Sequence, residues 1–426
     1  MNKELRNIIL LFITHFSVLL VGYITLNLTG LANQIPNNSN LLNWDASWYN
    51  SINQDGYIFD ESVQSNTGFF PLFPMLWRLF QFSPVGVSIF NVFLYAIGAT
   101  VMTLALQRTW KDLIVLIGLP SLFFFYIPYS EALFYLMGSL LLVGLYKERK
   151  YLFYISLLLS CMIRPVFFFF IPALIMLFLL KRNSGFNWKK LLLSILLVVI
   201  GTVLSFWIVG YSSGDFFAYT KSQIGNWDHS FSLPGFPLTT WRGYRILWLD
   251  GLALFLLGVV GLFILKNFKS QLNSISSGKS KNSLTEIFAI IGLVMSLFYV
   301  LFFHLEEDGR TSLMSLNRYV LCSPLLHFLI LQKVGRMDFS FGKMTLPILA
   351  GLMTIVLFGF PYIEVVGLSM FNSIPFLLGC LVLWLSYYFI LFKHKSQLLF
   401  IIGFYTFNVT LQLYLFQSFL KGNWIG

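Results

Sequence analysis

The chain reads as an all-α polytopic membrane protein, and three observations predict that class. Of its 426 residues, 57% are hydrophobic and only 11% are charged, with a mean hydropathy of +0.77; soluble globular domains do not have this composition. The apolar residues fall in runs of about 20, the length of helix that crosses a bilayer core. The lysines and arginines behind the net charge of +11 collect in short turns between those runs. That is the pattern of cytoplasmic loops, and it excludes nucleic acid as the partner. Cys161, Cys322 and Cys380 stand in separate apolar runs, a spacing that suits neither a metal cage nor a disulfide framework, and they read as packing residues.

Taken in order, residues 8–28, 84–105, 112–127, 130–145, 190–210, 247–265, 286–304, 319–333, 344–362, 374–392 and 398–416 each predict one span. The first run is too long, and lacks the small-residue cleavage site, for a removable signal peptide. Residues 151–180 are too long for one upright helix, are interrupted at Arg164-Pro165, and carry basic clusters at both ends (Lys147, Arg149, Lys150; Lys181, Arg182, Lys189, Lys190). Two short helices that go up and back satisfy both facts. The expected architecture is a bundle of about 11 to 13 transmembrane helices in one integral membrane unit, with a catalytic part over about 1–335 and additional helices over about 344–416. Lys3/Arg6, Arg108/Lys111, Lys266 to Lys281, Lys333 to Lys343 and Lys393/Lys395 then face the cytosol, with the first residues inside and the last outside. Asp45, Asp55, Asp60, Glu61, Glu131, Asp215, Asp228 and Glu306 to Asp308 fall on the outer side.

Three outer loops, 29–83, 211–246 and 305–318, are large enough to build a site. The inner loop 266–285 is rich in Ser, Asn and Lys and reads as a flexible solvated connector. Its SGKS lacks the leading glycine and the preceding strand of a phosphate-cradling loop. No internal repeat and no pair of corresponding broken helices of the transporter kind is evident.

The first outer loop contains NWDASWYNSI. A helix there puts Asp45, Trp48, Tyr49 and Ile52 on one face, with Asn40 or Asn43 available as the cap. Trp and Tyr favour the headgroup layer, so the bland reading is an aromatic anchor carrying a solvated aspartate. The chain then runs through QDGY into FFPLFPML, a proline-broken apolar stretch too short to cross, and so stays at the membrane surface. One carboxylate beside stacking rings at that surface suits a sugar or a lipid-linked sugar: Asp takes the proton of an attacking hydroxyl, and Trp44, Trp48 and Tyr49 offer ring faces to a pyranose.

WDASWYNSINQDGY followed by FFPLFP resembles the opening of the PIG-V-like mannosyltransferases, a branch of the GT-C membrane glycosyltransferases, which use polyprenyl-phosphate sugars. Four stretches resemble the family in the same order: YSEALFYLMGSLLLVG (129–144), MIRPVFFFFIPAL (162–174), SQIGNWDHSFSLPG (222–235, as in bacterial members) and NRYVLCSPLL (317–326). The family keeps a glycine or small polar residue shortly after the arginine matching Arg164, whereas Val166 to Phe170 are bulky here, which leaves the substrate open. The resemblance implies a GT-C-type bundle and an exoplasmic active site in a bacterial plasma membrane. It also implies Asp45 as catalytic base, and inverting transfer of a hexose, mannose among the candidates, to a glycan or glycolipid acceptor.

A polyprenyl-phosphate donor leaves as a phosphate anion, and the chain has no Asp-x-Asp pair for a metal in its outer loops. Glu306-Glu307-Asp308 is the nearest substitute and reads as a solvated acidic turn; no cofactor is expected, and a divalent metal stays open. Arginine matches phosphate oxygens with a fixed fork, which makes Arg164, Arg318, Arg310 and Arg245 the donor-phosphate candidates, with Arg242 beside them. Arg164, inside an apolar stretch, needs a partner such as Glu131 or a wet cavity. Ser130 can cap the helix that begins at Glu131. Glu131 and His304 complete the sugar-side candidates, and Asp228 repeats the Asn-Trp-Asp triplet. A lipid-linked glycan flippase, and a polymerase or ligase of diphosphate-linked glycans, remain alternatives from other classes.

Overall fold

In a bilayer each backbone N–H and C=O has to be satisfied inside the protein, so apolar runs of this length become helices. The computed structural model describes residues 3–183, 185–240, 244–278, 283–307, 309–359, 369–393 and 397–425. Its helices are α1 (Lys3–Leu28), α2 (Asp45–Asp55), α3 (Leu72–Phe80), α4 (Pro84–Ala105), α5 (Trp110–Ile117), α6 (Glu131–Tyr146), α7 (Lys150–Ile163), α8 (Phe167–Lys181), α9 (Trp188–Ser213) and α10 (Ala218–Lys221). They continue with α11 (Tyr244–Lys266), α12 (Phe268–Ser277), α13 (Leu284–Phe302), α14 (Leu316–Leu321), α15 (Pro324–Lys333), α16 (Phe341–Thr354), α17 (Met370–Phe389) and α18 (Gln397–Leu420). Among the described residues, eight helices are long and apolar enough to cross a membrane, and α6, α7 and α8 are shorter apolar helices. The chain is therefore a multi-pass, predominantly helical membrane protein.

The predicted break in 151–180 is present. Helix α7 stops at Ile163 and Arg164 is extended (φ −149°, ψ 158°), as the residue before a proline is forced to be. Two other prolines interrupt expected spans. The span expected at 112–127 is instead the short α5 followed by a 3₁₀ segment, Pro120–Phe125, because Leu119 precedes a proline and leaves the helical region. The span expected at 319–333 is split by Ser323-Pro324 into α14 and α15, with Pro324 opening the second helix. The inner loop 266–285 is not wholly a flexible connector, since α12 occupies half of it. The expected all-helical outer face also carries a small antiparallel sheet, β1 (His229–Phe231), β2 (Phe303–Glu307) and β3 (Arg310–Thr311) in the order β1-β2-β3, pairing His229 with Leu305 and Glu307 with Arg310.

Packing centres on α6, buried along most of its length and in contact with α4, α7, α13 and α15. The C-terminal helix α18 is tied back to the N-terminal half through buried polar groups. The ring nitrogens of His15 lie 2.8 Å from the hydroxyls of Tyr405 and Tyr126, and Gln412 Nε2 donates to the carbonyls of Ile117 and Leu119 at 3.0 and 2.8 Å. Helix α9 lies against α7, the helix that ends at Arg164, through Gly201 and Ser205. A small residue every fourth position lets two membrane helices approach closely.

A Cβ at Gly201 would stand 2.7 Å from the Leu158 carbonyl oxygen, whereas one at Gly261 in α11 meets nothing. Gly201→Ala is accordingly expected to cost about 1–3 kcal/mol, seen as a lower Tm in detergent, and Gly261→Ala to leave Tm unchanged. Equal melting of the two variants would contradict this packing.

Candidate active site

The site assembles where the loop between α1 and α3 meets the interrupted helices. Asp45 is the first residue of α2, where the partial positive charge of a helix N-terminus favours a carboxylate. Neither asparagine caps this helix, contrary to the sequence expectation. Trp44 holds the cap position without a side-chain cap bond, and the Asn43 amide donates instead to the carbonyls of Asn40 and Phe419. Trp44 has φ 55° and ψ −128°, a conformation that a bulky L-residue adopts only under constraint and that costs about 1–3 kcal/mol. Ala46, Tyr49 and Ile52 form the buried face of α2. Tyr49 donates its hydroxyl to Ser130 Oγ at 2.8 Å, which docks α2 on the start of α6, and burial pushes that hydroxyl's pKa well up, keeping it a neutral donor. Ser130 is therefore engaged by Tyr49 and by Arg164 Nε (3.4 Å) and makes no cap bond to α6, another departure from the expectation.

Four charged side chains interlock there. Glu131 Oε1 accepts from Arg164 Nη2 at 2.6 Å and from Arg318 Nε at 2.7 Å, and Arg318 Nη2 reaches Asp45 Oδ2 at 2.7 Å. Glu131 is 1% exposed, Arg318 7%, Arg164 12% and Asp45 18%, so exposure to the outside rises from the glutamate to the aspartate. Rings fix both guanidinium planes: Arg318 lies 4.8 Å from the Tyr129 centroid and 5.2 Å from Phe124, and Arg164 lies 5.5 Å from Tyr319 and 5.7 Å from Phe134. A carboxylate from another helix braces Arg318. Asp250 of α11, fully buried, accepts from the Asn317 backbone N–H (3.0 Å), the Asn317 amide (2.8 Å) and the Thr240 hydroxyl (2.6 Å). It thereby satisfies a first-turn N–H of α14 that no local side chain caps.

Asp45, Arg164 and Arg318 open onto one cavity of about 440 Å³, a volume in the range of small-molecule sites. Its aromatic wall is Trp48, stacked on Phe69 at 6.4 Å and meeting Trp227 edge-on at 5.6 Å. Residues 223–227 are pinned to residues 65–68: Trp227 Nε1 donates to the Ser65 carbonyl (3.3 Å) and Gln223 Nε2 to the Gly68 carbonyl (3.0 Å). A Cβ at Gly68 would sit 2.7 Å from Trp227 Nε1, so a larger residue there displaces that ring. Trp44, Asp228 and Ser315, three of the six non-glycine residues with positive φ among those described, line this cavity. Backbone strain of that kind clusters at functional sites.

Of the residues singled out in the sequence, Trp44, Asp45, Trp48, Tyr49, Arg164 and Arg318 line the cavity, while Glu131 stands behind the two arginines. Arg310, on β3, is not among the lining residues. The side chains of Arg245, His304, Glu306 and Glu307, together with Arg242 and Asp308, lie outside the described residues. Gln223 and Trp227, in the stretch 222–235 that resembles the family's Gln and Trp loop, line the cavity with Asp228, whereas sequence reasoning missed Asp250, His229 and Trp424 as parts of this region. Asp250 had a readable signal, a carboxylate within an apolar run. Among the described residues no group of three or more His, Cys, Asp or Glu side chains is placed to hold a metal ion.

No family model and no curated protein matches the sequence. Among solved structures the chain is similar to the crystal structure of ArnT from Cupriavidus metallidurans bound to undecaprenyl phosphate. The identity is 13% and the TM-score 0.49, covering 96% of this chain and 77% of that chain.

A buried charge stripped of its partner costs about 3–5 kcal/mol, and Glu131 is the shared partner of two arginines. Glu131→Gln is expected to lower stability by about 3 kcal/mol or more, read as Tm in detergent. Glu131→Gln with Arg164→Met is expected to cost less than the sum of the single changes. Additive losses would mean the groups are not coupled.

Proposed function

We propose that this chain is a GT-C-type glycosyltransferase acting at the outer face of a bacterial plasma membrane. It moves a hexose, mannose in the first instance, from a polyprenyl phosphate to a hydroxyl of a glycan or glycolipid acceptor, with inversion at the anomeric carbon. The observation that carries the reading is a carboxylate and two guanidiniums converging on one ring-lined cavity at a common end of the helix bundle. That end lies opposite the Lys147–Lys150 and Lys181–Lys190 turns in chain order, which the positive-inside rule assigns to the cytosol. The ordered resemblance to PIG-V-like mannosyltransferases supports the sugar class.

In this mechanism Asp45 accepts the proton of the acceptor hydroxyl as that oxygen bonds to the anomeric carbon. The bond from that carbon to the phosphate oxygen breaks, and its electron pair leaves with the polyprenyl phosphate. Arg164 and Arg318 take up the charge developing on the phosphate; both are already oriented by Glu131 and by ring faces, so little reorganisation accompanies the step. The rings of Trp48 and Trp44 pack on the sugar. Glu131 holds the two arginines from beneath, and Tyr49 docks α2 on α6 at the cavity wall.

Because Asp45 occupies Arg318 Nη2, an incoming phosphate competes with it for that donor. Asp45→Asn is expected to abolish transfer of labelled sugar from a polyprenyl monophosphate. The same variant should bind undecaprenyl phosphate more tightly, by about tenfold if the displaced bond is worth about 1.5 kcal/mol. Arg318→Lys is expected to weaken that binding. An Asp45→Asn variant that still transfers sugar would remove the base, and transfer only from diphosphate-linked donors would move the chain to another enzyme class.

A further inference from the structure

The residue preceding the proposed base is strained, and what holds it comes from the far end of the chain. Trp44 lies outside the conformations a tryptophan prefers, and no side chain of its own loop caps the helix it starts. Its indole N–H donates to the Gly422 carbonyl at 3.1 Å, and its ring meets that of Trp424 edge-on at 5.0 Å and 76°. The neighbouring Asn43 amide donates to the Phe419 carbonyl at 2.8 Å. Residues 419–424 are themselves fixed. Gly422 turns the chain with φ +79°, its N–H donates to the Phe419 carbonyl at 2.8 Å, and the Asn423 N–H donates to the Ser418 carbonyl at 3.1 Å. Phe419, Leu420 and Ile425 are buried. Helix α18, which delivers this turn, is anchored through Gln412 to the Ile117 and Leu119 carbonyls, immediately before the 3₁₀ segment that carries Phe124, under Arg318. The same helix end therefore grips the strained residue, while its anchor supports the ring beneath the phosphate-side arginine.

We infer that Trp424, together with the Gly422 carbonyl, is a positioning residue. It clamps Trp44 in its strained conformation and so aims the Asp45 carboxylate into the cavity. The catalytic consequence rests on the glycosyltransferase reading; the clamp itself rests on geometry alone. Strain at one residue persists only where the surroundings over-determine it, and three contacts from residues 419–424 converge on Asn43 and Trp44. Removing the Trp424 ring takes away one of the three and leaves Arg164, Arg318 and Glu131 untouched.

The test uses the full chain in nanodiscs with Trp424→Ala, Trp424→Phe and Trp44→Phe. Hydrogen–deuterium exchange reads the clamp directly. Trp424→Ala is expected to raise exchange over residues 43–49 while leaving 316–333 as in the parent. Trp424→Phe, which keeps an edge-on ring, is expected to restore most of the protection, and Trp44→Phe, which loses the N–H bond and keeps a smaller ring, to give an intermediate pattern. With a labelled polyprenyl-phosphate sugar and native membranes as acceptor, Trp424→Ala is expected to lower kcat by about tenfold to a hundredfold. Donor KM and the affinity for undecaprenyl phosphate should stay near parent values. Unchanged exchange over 43–49 overturns the clamp. So does a raised donor KM with kcat retained, since Trp424 would then be contacting substrate. Loosening of 43–49 in a protein whose parent form transfers no sugar supports the clamp and refutes the glycosyltransferase reading instead.

Discussion

Everything at this site hangs on Arg318. A guanidinium with 7% of its side chain exposed, inside a membrane protein, has to be paired and hydrogen-bonded, and Arg318 meets that requirement with Glu131 on one side and Asp45 on the other. The pairings join four stretches that are remote in sequence: the start of α2, the start of α6, the break after α7 and the start of α14. Two positive and two negative groups leave the cluster neutral at rest, a condition an anionic ligand disturbs and a neutral one does not.

The interruptions in the helices follow from the same need. Irregular backbone at membrane depth is tolerated where it lines a cavity or is buried in protein. Arg164-Pro165 lines the cavity and Leu119-Pro120 leads into the ring-bearing segment beneath Arg318, while Ser323-Pro324 follows the short helix on which Arg318 stands. Each proline costs a span some regularity, and the one after Arg164 leaves that arginine at the end of α7. Asp250 then spends a buried carboxylate on the orphan N–H of α14, so the arginine's own helix is capped from a neighbour.

Much of this could be read from residue order, and the reasons for the rest are specific. Hydropathy and basic turns located the long helices, and the pre-proline rule located the break at Arg164. The same rule, applied at Leu119 and Ser323, would have divided two further spans; their surroundings are apolar enough to hide the punctuation. Asp45, Trp48 and Tyr49 were visible as one helical face because the i, i+3, i+4 spacing is local. What no local pattern encodes is the partner: that Asn43 binds the Phe419 carbonyl instead of capping α2, that Ser130 serves Tyr49 and Arg164 instead of its own helix, or that Trp227 completes the wall begun by Trp48. The small sheet was missed because β1 and β2 are short and pair residues 72 or more apart in sequence, Phe231 with Phe303 at the nearest, with no hairpin turn joining them.

The claim on which the account depends is that phosphate of a lipid carrier exchanges with Asp45 on Arg318. Its most direct test is an experimental structure of the chain in a nanodisc with undecaprenyl phosphate. The account predicts phosphate oxygens within hydrogen-bond distance of the Arg164 and Arg318 guanidiniums, with the Asp45 carboxylate turned off Arg318 and facing the open cavity. A phosphate lodged elsewhere, with the Asp45–Arg318 bond intact, would contradict it.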